Sequence, residues 1–554
     1  MPATVLSLEY GNTDRPPLIT TLLLSLQHAF LSVSSLLLPV VLLSTFANPY
    51  DAAHIIQATI LASGIGTILL SLHTRLFNAN VFLCSYYDPV NYSLSYLALQ
   101  SGGPPLLYAV NYLQSGLLIL FAEGITKLRK FVPLEIAGLV IFMTALSVIS
   151  AAICNSFGGV DKLVDLRFDV GACLVSSLSL LVMIGLSVWG GKHFAKCSLL
   201  AGVIFGLILD ALVNPRTTPL ILSSTIVSAP TVIWPSFNLL RWDYVLPLCV
   251  ATLGVGLKSM GNLIAMQKIN TPAWERTDVP QVKRGLLTNA ISSFISSLFG
   301  GFTLGMSTGN VGFVAATGVS SRILGSVVGS ALVVASFFPV VSELVAQIPK
   351  PVIGAVLVFV IPSILIAGIQ VMTSRPTNAR RVFLIGLPIV IGLAFEFVPQ
   401  LERDIPPTYR LITESPLTTA TILAMILNCV FIIGNRRKAQ MPVDLSALAD
   451  GACVVSVKDH TAAWNLAEGT VATAQDTLTT LLSSLKLIAA NGQAVVAMDY
   501  DDYQFNVEIR YVGKACDTQL SKLNLGDMAK KVDQIKCSTL ADGGQQFIRF
   551  VFEQ

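Results

Sequence analysis

Charge is scarce in this sequence. Asp, Glu, Lys and Arg together make up 12% of its 554 residues, where a soluble domain carries about 25%. That shortage excludes a chain built mainly of soluble catalytic domains, and no enzyme activity is expected. The charge that remains nearly balances, at a net +3. No basic block or aromatic-interleaved patch stands out, so nucleic acid is not an expected partner. Nine cysteines are scattered without a C-x-x-C pair, and the five histidines are dispersed. Such cysteines read as small apolar core residues, not as a zinc site or a disulfide frame. No metal or cofactor is expected. A cleavable signal peptide is not expected either. The first residues are polar, and the first apolar stretch, Leu18–Phe46, is too long for a signal core.

Hydrophobic residues fill the gap, at 53% of the chain and a mean hydropathy of +0.71. They are concentrated between Leu18 and Ile433; after Arg436 the composition becomes that of a small soluble domain. Two domains are expected: 1–436 in the membrane and 437–554 as a cytosolic α/β domain. A bilayer is crossed by about 20 apolar helical residues. Twelve runs fit: Leu18–Leu43, Ile55–Leu72, Pro104–Phe121, Leu134–Ala152, Val170–Trp189, Ser198–Val213, Tyr244–Ala265, Gly285–Phe299, Ile323–Ile348, Pro351–Met372, Val382–Phe397 and Leu417–Ile433. The fold class is therefore an all-α polytopic membrane protein with a small α/β tail. Arg436, Arg437 and Lys438 follow the last run, which places the C-terminus in the cytoplasm. An even number of crossings places the N-terminus there too.

Two further segments are interrupted, Val81–Ser101 by polar residues and proline and Gly300–Gly318 by polar residues and glycine. They bring the count to about fourteen, and each is third in its half of the chain. Interrupted segments in matching positions point to a transporter site near the bilayer midplane, because irregular backbone survives there only against protein or a wet cavity. In the second, an extended start should become a helix near Asn310. Free N–H groups and the positive dipole end would face the cavity there. Ser307 and Thr308 are placed to cap that helix or touch cargo. Gly309 and Gly312 would let backbone approach closely. In the first, the matching half-helix should begin near Phe82–Ser85, with Phe82 and Leu83 at the same cavity.

GNVGFVAATG, at Gly309–Gly318, resembles the signature of the nucleobase/ascorbate transporter family: Asn310, Gly312, Thr317 and Gly318 match, and Gly309 departs. The pair Gln27-His28 resembles one in the family's first helix. Leu257–Asn270 and Arg284–Gly301 resemble its eighth and ninth. The likeness implies two inverted seven-segment repeats, a core moving against a gate, a homodimer, and uptake of a small ring such as uracil, xanthine or urate. Gln27, His28, Asn289 and Thr317 become candidates for coupling or packing, His28 more for packing. Lys258 stands where proton-driven members of the family carry glutamate, and Asn289 where many carry an acid. No other carboxylate is obviously placed to take over, which puts proton coupling in doubt. A charged Lys258 facing the cavity would favour an anionic or oxygen-rich ring. Lys258 also keeps open an anion transporter or channel of sulfate-permease-like architecture, and the tail keeps open a membrane sensor.

The tail should carry a helix over Ala462–Ala490, strands Gln493–Tyr500 and Gln504–Gly513, a helix near Leu523–Lys536 and a strand Gln545–Phe552. Phe505, Val507, Ile509 and Tyr511 alternate with polar residues and should share a buried face. The helix–strand–strand order weakly resembles a histidine-kinase-like ATPase fold. It has no glycine-rich nucleotide loop.

Overall fold

The computed structural model describes residues 8–72, 79–128, 134–158, 169–191, 198–214, 225–271, 278–373, 379–398, 400, 416–432, 437–444, 459, 464, 468–485, 489–500, 504–513, 534–539 and 545–553. The chain forms two compact units, Met1–Leu427 and Asn428–Gln554.

The first unit is helical. Its described elements are α1 (Leu18–Ser34), α2 (Leu37–Phe46), α3 (Pro49–Ser71), β1 (Ser85–Tyr87), α4 (Tyr92–Leu128), α5 (Leu134–Ser156), α6 (Val170–Trp189) and α7 (Ser198–Val213). Then follow α8 (Val245–Asn270), α9 (Val279–Leu298), β2 (Leu304–Met306), α10 (Thr308–Thr317), α11 (Arg322–Ser336), α12 (Pro339–Ala346), α13 (Lys350–Met372), α14 (Ala379–Phe397) and α15 (Pro416–Ile432), the last of which runs across the boundary between the units at Leu427. Six described helical spans are long and apolar enough to cross a bilayer, or seven if the bent pair α11–α12 counts as one. The polarity of the helices is turned inside out. On α1, Leu18, Leu22 and Leu26 are exposed, while Thr21, Ser25, His28 and Ser32 are buried at helical spacing. In lipid the outer face needs no polarity, and polar side chains go where they find partners.

Several expected spans are shaped differently. Ile323–Ile348 was expected as one helix, but α11 and α12 meet at 87°. Phe338 is extended there (φ −101°, ψ 102°), and Pro339 starts the second piece, where a missing N–H costs nothing. The run Pro104–Phe121 lies within the longer α4, which is broken at Gly103 with φ 63°; such a backbone favours glycine. The first run is divided between α1 and α2 at Ser35–Leu36.

In the second unit a five-stranded antiparallel sheet has the order β3-β4-β5-β7-β6. The strands are β3 (Arg437–Asp444), β4 (Ala489–Tyr500), β5 (Gln504–Gly513), β6 (Gln534–Thr539) and β7 (Gln545–Glu553), with α16 at Glu468–Leu485. Phe505, Val507, Ile509 and Tyr511 are buried, and with Leu478, Leu481 and Leu485 of α16 they form one core. The described part opens with a strand, not a helix. The helix over Ala462–Ala490 is shorter, because Ala489 already pairs in the sheet with Gly513. Residues 534–536, expected to end a helix, pair with β7 instead; 523–533 lie outside the described residues.

Candidate functional site: a two-stranded ribbon with a buried ion pair

The two broken segments meet. β1 and β2 pair antiparallel, with Ser85 opposite Met306, Tyr86 opposite Gly305 and Tyr87 opposite Leu304. An isolated pair of three-residue strands leaves its outer backbone groups bare, at a cost in a dry interior of about several kcal/mol each. Neighbouring side chains bond to several of them. Ser85 N donates to Thr67 Oγ1 at 3.0 Å. Leu304 N donates to Ser293 Oγ at 3.1 Å, and Asn289 Nδ2 donates to Leu304 O at 3.2 Å. Asn262 Nδ2 donates to Met306 O at 2.8 Å. Phe302 N donates to Thr59 Oγ1 at 3.0 Å, and Ser296 Oγ to Phe302 O at 2.6 Å. These bonds explain why α9 is rich in serine inside an apolar unit.

Each strand then leads to a helix start. Ser307 caps α10, its Oγ accepting from Asn310 N at 3.2 Å. In the first segment the start is at Asp88, not Phe82–Ser85. Asp88 Oδ1 accepts from Val90 N at 3.1 Å and opens a short 3-10 turn, Pro89–Asn91, that feeds α4. An acceptor at the cap and a proline just inside are what a helix start requires. Phe82 and Leu83 lie before the strand, both buried.

Strand alternation sorts the side chains. Tyr87 turns to one face and packs edge-on to Phe302, centroids 4.9 Å apart. Tyr86 and Asp88 turn to the other, where Gly305 stands opposite Tyr86. Lys258 of α8 reaches this face. Its Nζ donates to Tyr86 Oη at 2.5 Å and to Asp88 Oδ1 at 2.8 Å. Lys258 and Asp88 are 3% and 0% exposed, so the ion pair is out of water. Asp88 Oδ2 and Thr308 Oγ1 are buried with no hydrogen-bond partner among the described residues.

A second group lies alongside. His28 of α1 hydrogen-bonds Asn310 through Nδ1 and the amide oxygen, and Asn310 Nδ2 donates to Ser32 Oγ at 3.4 Å. The His28 ring sits edge-on between Phe82 and Phe313, at 4.7 Å from each. His28 is thus a hydrogen-bonded packing residue, and Asn310 is engaged by it.

The structure therefore brings Lys258, Thr308, Ser307, Asn310, Phe82 and His28 to the ribbon or the helix starts it feeds. Asn289 holds the far edge of β2. Thr317 donates to Phe313 O at 2.9 Å within its own helix. Gln27 and Gly309 are half-buried and exposed. Close approach at Gly309 and Gly312 is not seen: a side chain at Gly312 would meet nothing within 4 Å, and one at Gly309 would make ordinary contact with Leu31 at 3.4 Å and Ser307 Oγ at 3.8 Å. The close approach is at Gly305, where an added Cβ would lie 1.9 Å from Asp88 Oδ2. Asp210 is buried and accepts from Asn214 Nδ2 at 3.1 Å. Sequence reasoning missed Tyr86, Asp88 and Gly305. An acid two positions after a tyrosine, in an extended apolar segment, was the available signal. It also left Lys258 without a counter-ion; Asp88 supplies one.

Buried polar helix faces, an ion pair at a discontinuous crossing and a lipid-suited exterior define a multi-pass membrane permease rather than an enzyme. The model of the permease family for xanthine and uracil permeases matches residues 19–401. The chain belongs to that family. It is similar to xanthine permease XanP of Escherichia coli K12, 25% identical over 447 residues, covering 76% of this chain and 94% of that protein. It is similar also to the nucleobase transporter PlUacP of Paenibacillus larvae, 23% identical over 431 residues, covering 75% and 96%. Among solved structures, the transmembrane domain of a cyanobacterial bicarbonate transporter, BicA, aligns with a TM-score of 0.46 at 14% identity, over 76% of this chain and all of that one. The murine anion transporter Slc26a9 aligns at 0.48 and 10% identity, over 78% and 71%.

Proposed function

We propose that the chain is a secondary transporter that carries nucleobases or related oxopurines, of the urate, xanthine and uracil class, across the cell membrane. The observation that supports this is the polar face of the ribbon. There a lysine, a carboxylate and a tyrosine form a buried group of mixed donors and acceptors beside a helix start. A flat ring with carbonyl and N–H groups on its edge suits such a surface. The names of the relatives from E. coli and P. larvae point to the same class. In this reading Lys258, Ser307, Thr308, Gly309, Asn310, Phe82 and Leu83 border the cargo. Fourteen segments in two inverted repeats form a core and a gate, and the core moves as an elevator within a homodimer. Both termini face the cytoplasm, and the tail begins after residue 436.

The rival reading, an anion path, drew its support from an uncompensated Lys258. Asp88 at 2.8 Å balances that charge, and the support falls away. Purified protein in liposomes decides between them. The expected result is saturable uptake of labelled xanthine or uracil and none of sulfate or bicarbonate. Anion uptake without uptake of any ring overturns the proposal.

A further inference from the structure

We propose that Asp88 is the residue that reads a ring N–H of the cargo, paired with Lys258 reading the neighbouring carbonyl. The inference rests on the proposed nucleobase reading and sharpens it to two named atoms.

The geometry starts with the ribbon. Tyr86 and Asp88 share a face because they are two residues apart in extended chain; Asp88 itself has φ −91° and ψ 121°. Gly305 stands opposite Tyr86 and contributes no side chain, so that face has a notch in its middle. Asp88 Oδ2 lies in the notch, where a Cβ on residue 305 would come within 1.9 Å of it.

The donor and acceptor balance follows. Asp88 Oδ1 is filled, by Lys258 Nζ and Val90 N. Asp88 Oδ2 has no donor among the described residues, although the side chain is 0% exposed. Thr308 Oγ1, at the start of α10 two residues past β2, is also buried with no partner among the described residues. A carboxylate oxygen left bare in a dry interior is costly. Two such oxygens in one cluster mark where a ligand's polar edge completes the bonding. Lys258 has three N–H groups, and two of them go to Tyr86 and Asp88. The remaining one donates; Asp88 Oδ2 accepts. A cargo that meets both presents a carbonyl next to an N–H. An inorganic anion offers no N–H to Asp88, and its charge would be repelled by that oxygen. The ammonium and the carboxylate cancel, so the cargo can be neutral. This replaces the preference for an anionic ring that an isolated lysine implies.

The test uses the full-length protein in detergent with xanthine and its 1-, 3- and 7-methyl derivatives as probes. The variant is the neutral pair Lys258→Met with Asp88→Asn. It removes both charges together, so neither is left buried alone, and a melting curve verifies its fold. The native protein is expected to bind xanthine at least about tenfold tighter than one methylated form, the scale of a hydrogen bond to a charged group. In the double variant that ratio is expected to fall to about threefold or less. Retention of the native ratio by the folded double variant overturns the role of Asp88 and leaves the nucleobase reading standing. A native protein that binds none of these rings nor uracil, but binds sulfate, overturns both.

Discussion

The carboxylate of Asp88 occupies the space that a side chain on Gly305 would need. The two residues come from opposite halves of the chain, yet an added methyl would sit 1.9 Å from Asp88 Oδ2. The first prediction concerns this contact. Gly305→Ala must displace the carboxylate or open the ribbon. Overpacking of this kind costs about 1–3 kcal/mol, and here it also disturbs the ion pair. Thermal melting should show a clear drop, and xanthine binding should weaken by more than the drop in folded fraction explains. Unchanged melting and binding would contradict the geometry.

The ion pair gives a second prediction. Lys258→Met alone leaves Asp88 buried and unbalanced, and Asp88→Asn alone does the same to Lys258. Breaking a buried pair from one side costs about 3–5 kcal/mol, whereas removing both charges is often close to neutral. Each single variant should therefore express poorly or melt early, and the double variant should recover most of the loss. A double-mutant cycle on melting data measures it; additive losses would show that the two charges do not depend on each other.

His28 and Asn310 supply a third. His28→Phe keeps an aromatic ring between Phe82 and Phe313 but leaves the Asn310 amide oxygen without its donor. An unsatisfied buried group costs about 1–3 kcal/mol. The variant should be less stable than native and no worse than His28→Ala, which loses the ring as well. Denaturation of the three proteins side by side orders them.

The fourth prediction concerns pH and the tail. Burial pushes the Glu508 carboxyl up, but hydrogen bonds and charge from Arg510 and Arg549 outweigh it, so it lies below its ordinary value of 4.5. The bonds are 2.7 Å from Arg510 and 2.9 and 2.5 Å from Arg549. A carboxyl lowered on folding stabilises the fold at pH above its unfolded value. That contribution is lost as pH falls through the folded value. Urea titrations of a tail fragment starting at residue 437 should show falling stability as pH drops below about 4.5, and a flatter profile for Glu508→Gln. Parallel profiles would remove Glu508 as the cause.

Parts of this were legible in the sequence for physical reasons. The break at 81–101 was visible because Ser, Asp and Asn interrupt an apolar run, the one at 300–318 because Gly, Ser and Asn do, and Lys258 because charge is conspicuous there. The pairing of the two breaks was not, since strand partners from distant segments leave no local trace. Asp88 was overlooked because an acid before proline reads as an ordinary turn starter. Asn289 looked like a lost acid, and its observed work is to hold a backbone carbonyl. The bend at Phe338 was hidden because hydropathy stays smooth through Phe337-Phe338-Pro339 while the backbone does not.

The ribbon also constrains the order in which the protein can be made. β1 is synthesised long before β2, and until Met306 has left the ribosome the amides and carbonyls of Ser85–Tyr87 have no strand beside them. Bare backbone does not rest in hydrocarbon. The first half of a nascent chain must therefore wait, at the insertion machinery or in a non-native pairing, for the second half to arrive. Ribosome-stalled chains ending before β2 should be degraded as fast as misfolded ones, and chains extended through α10 should escape.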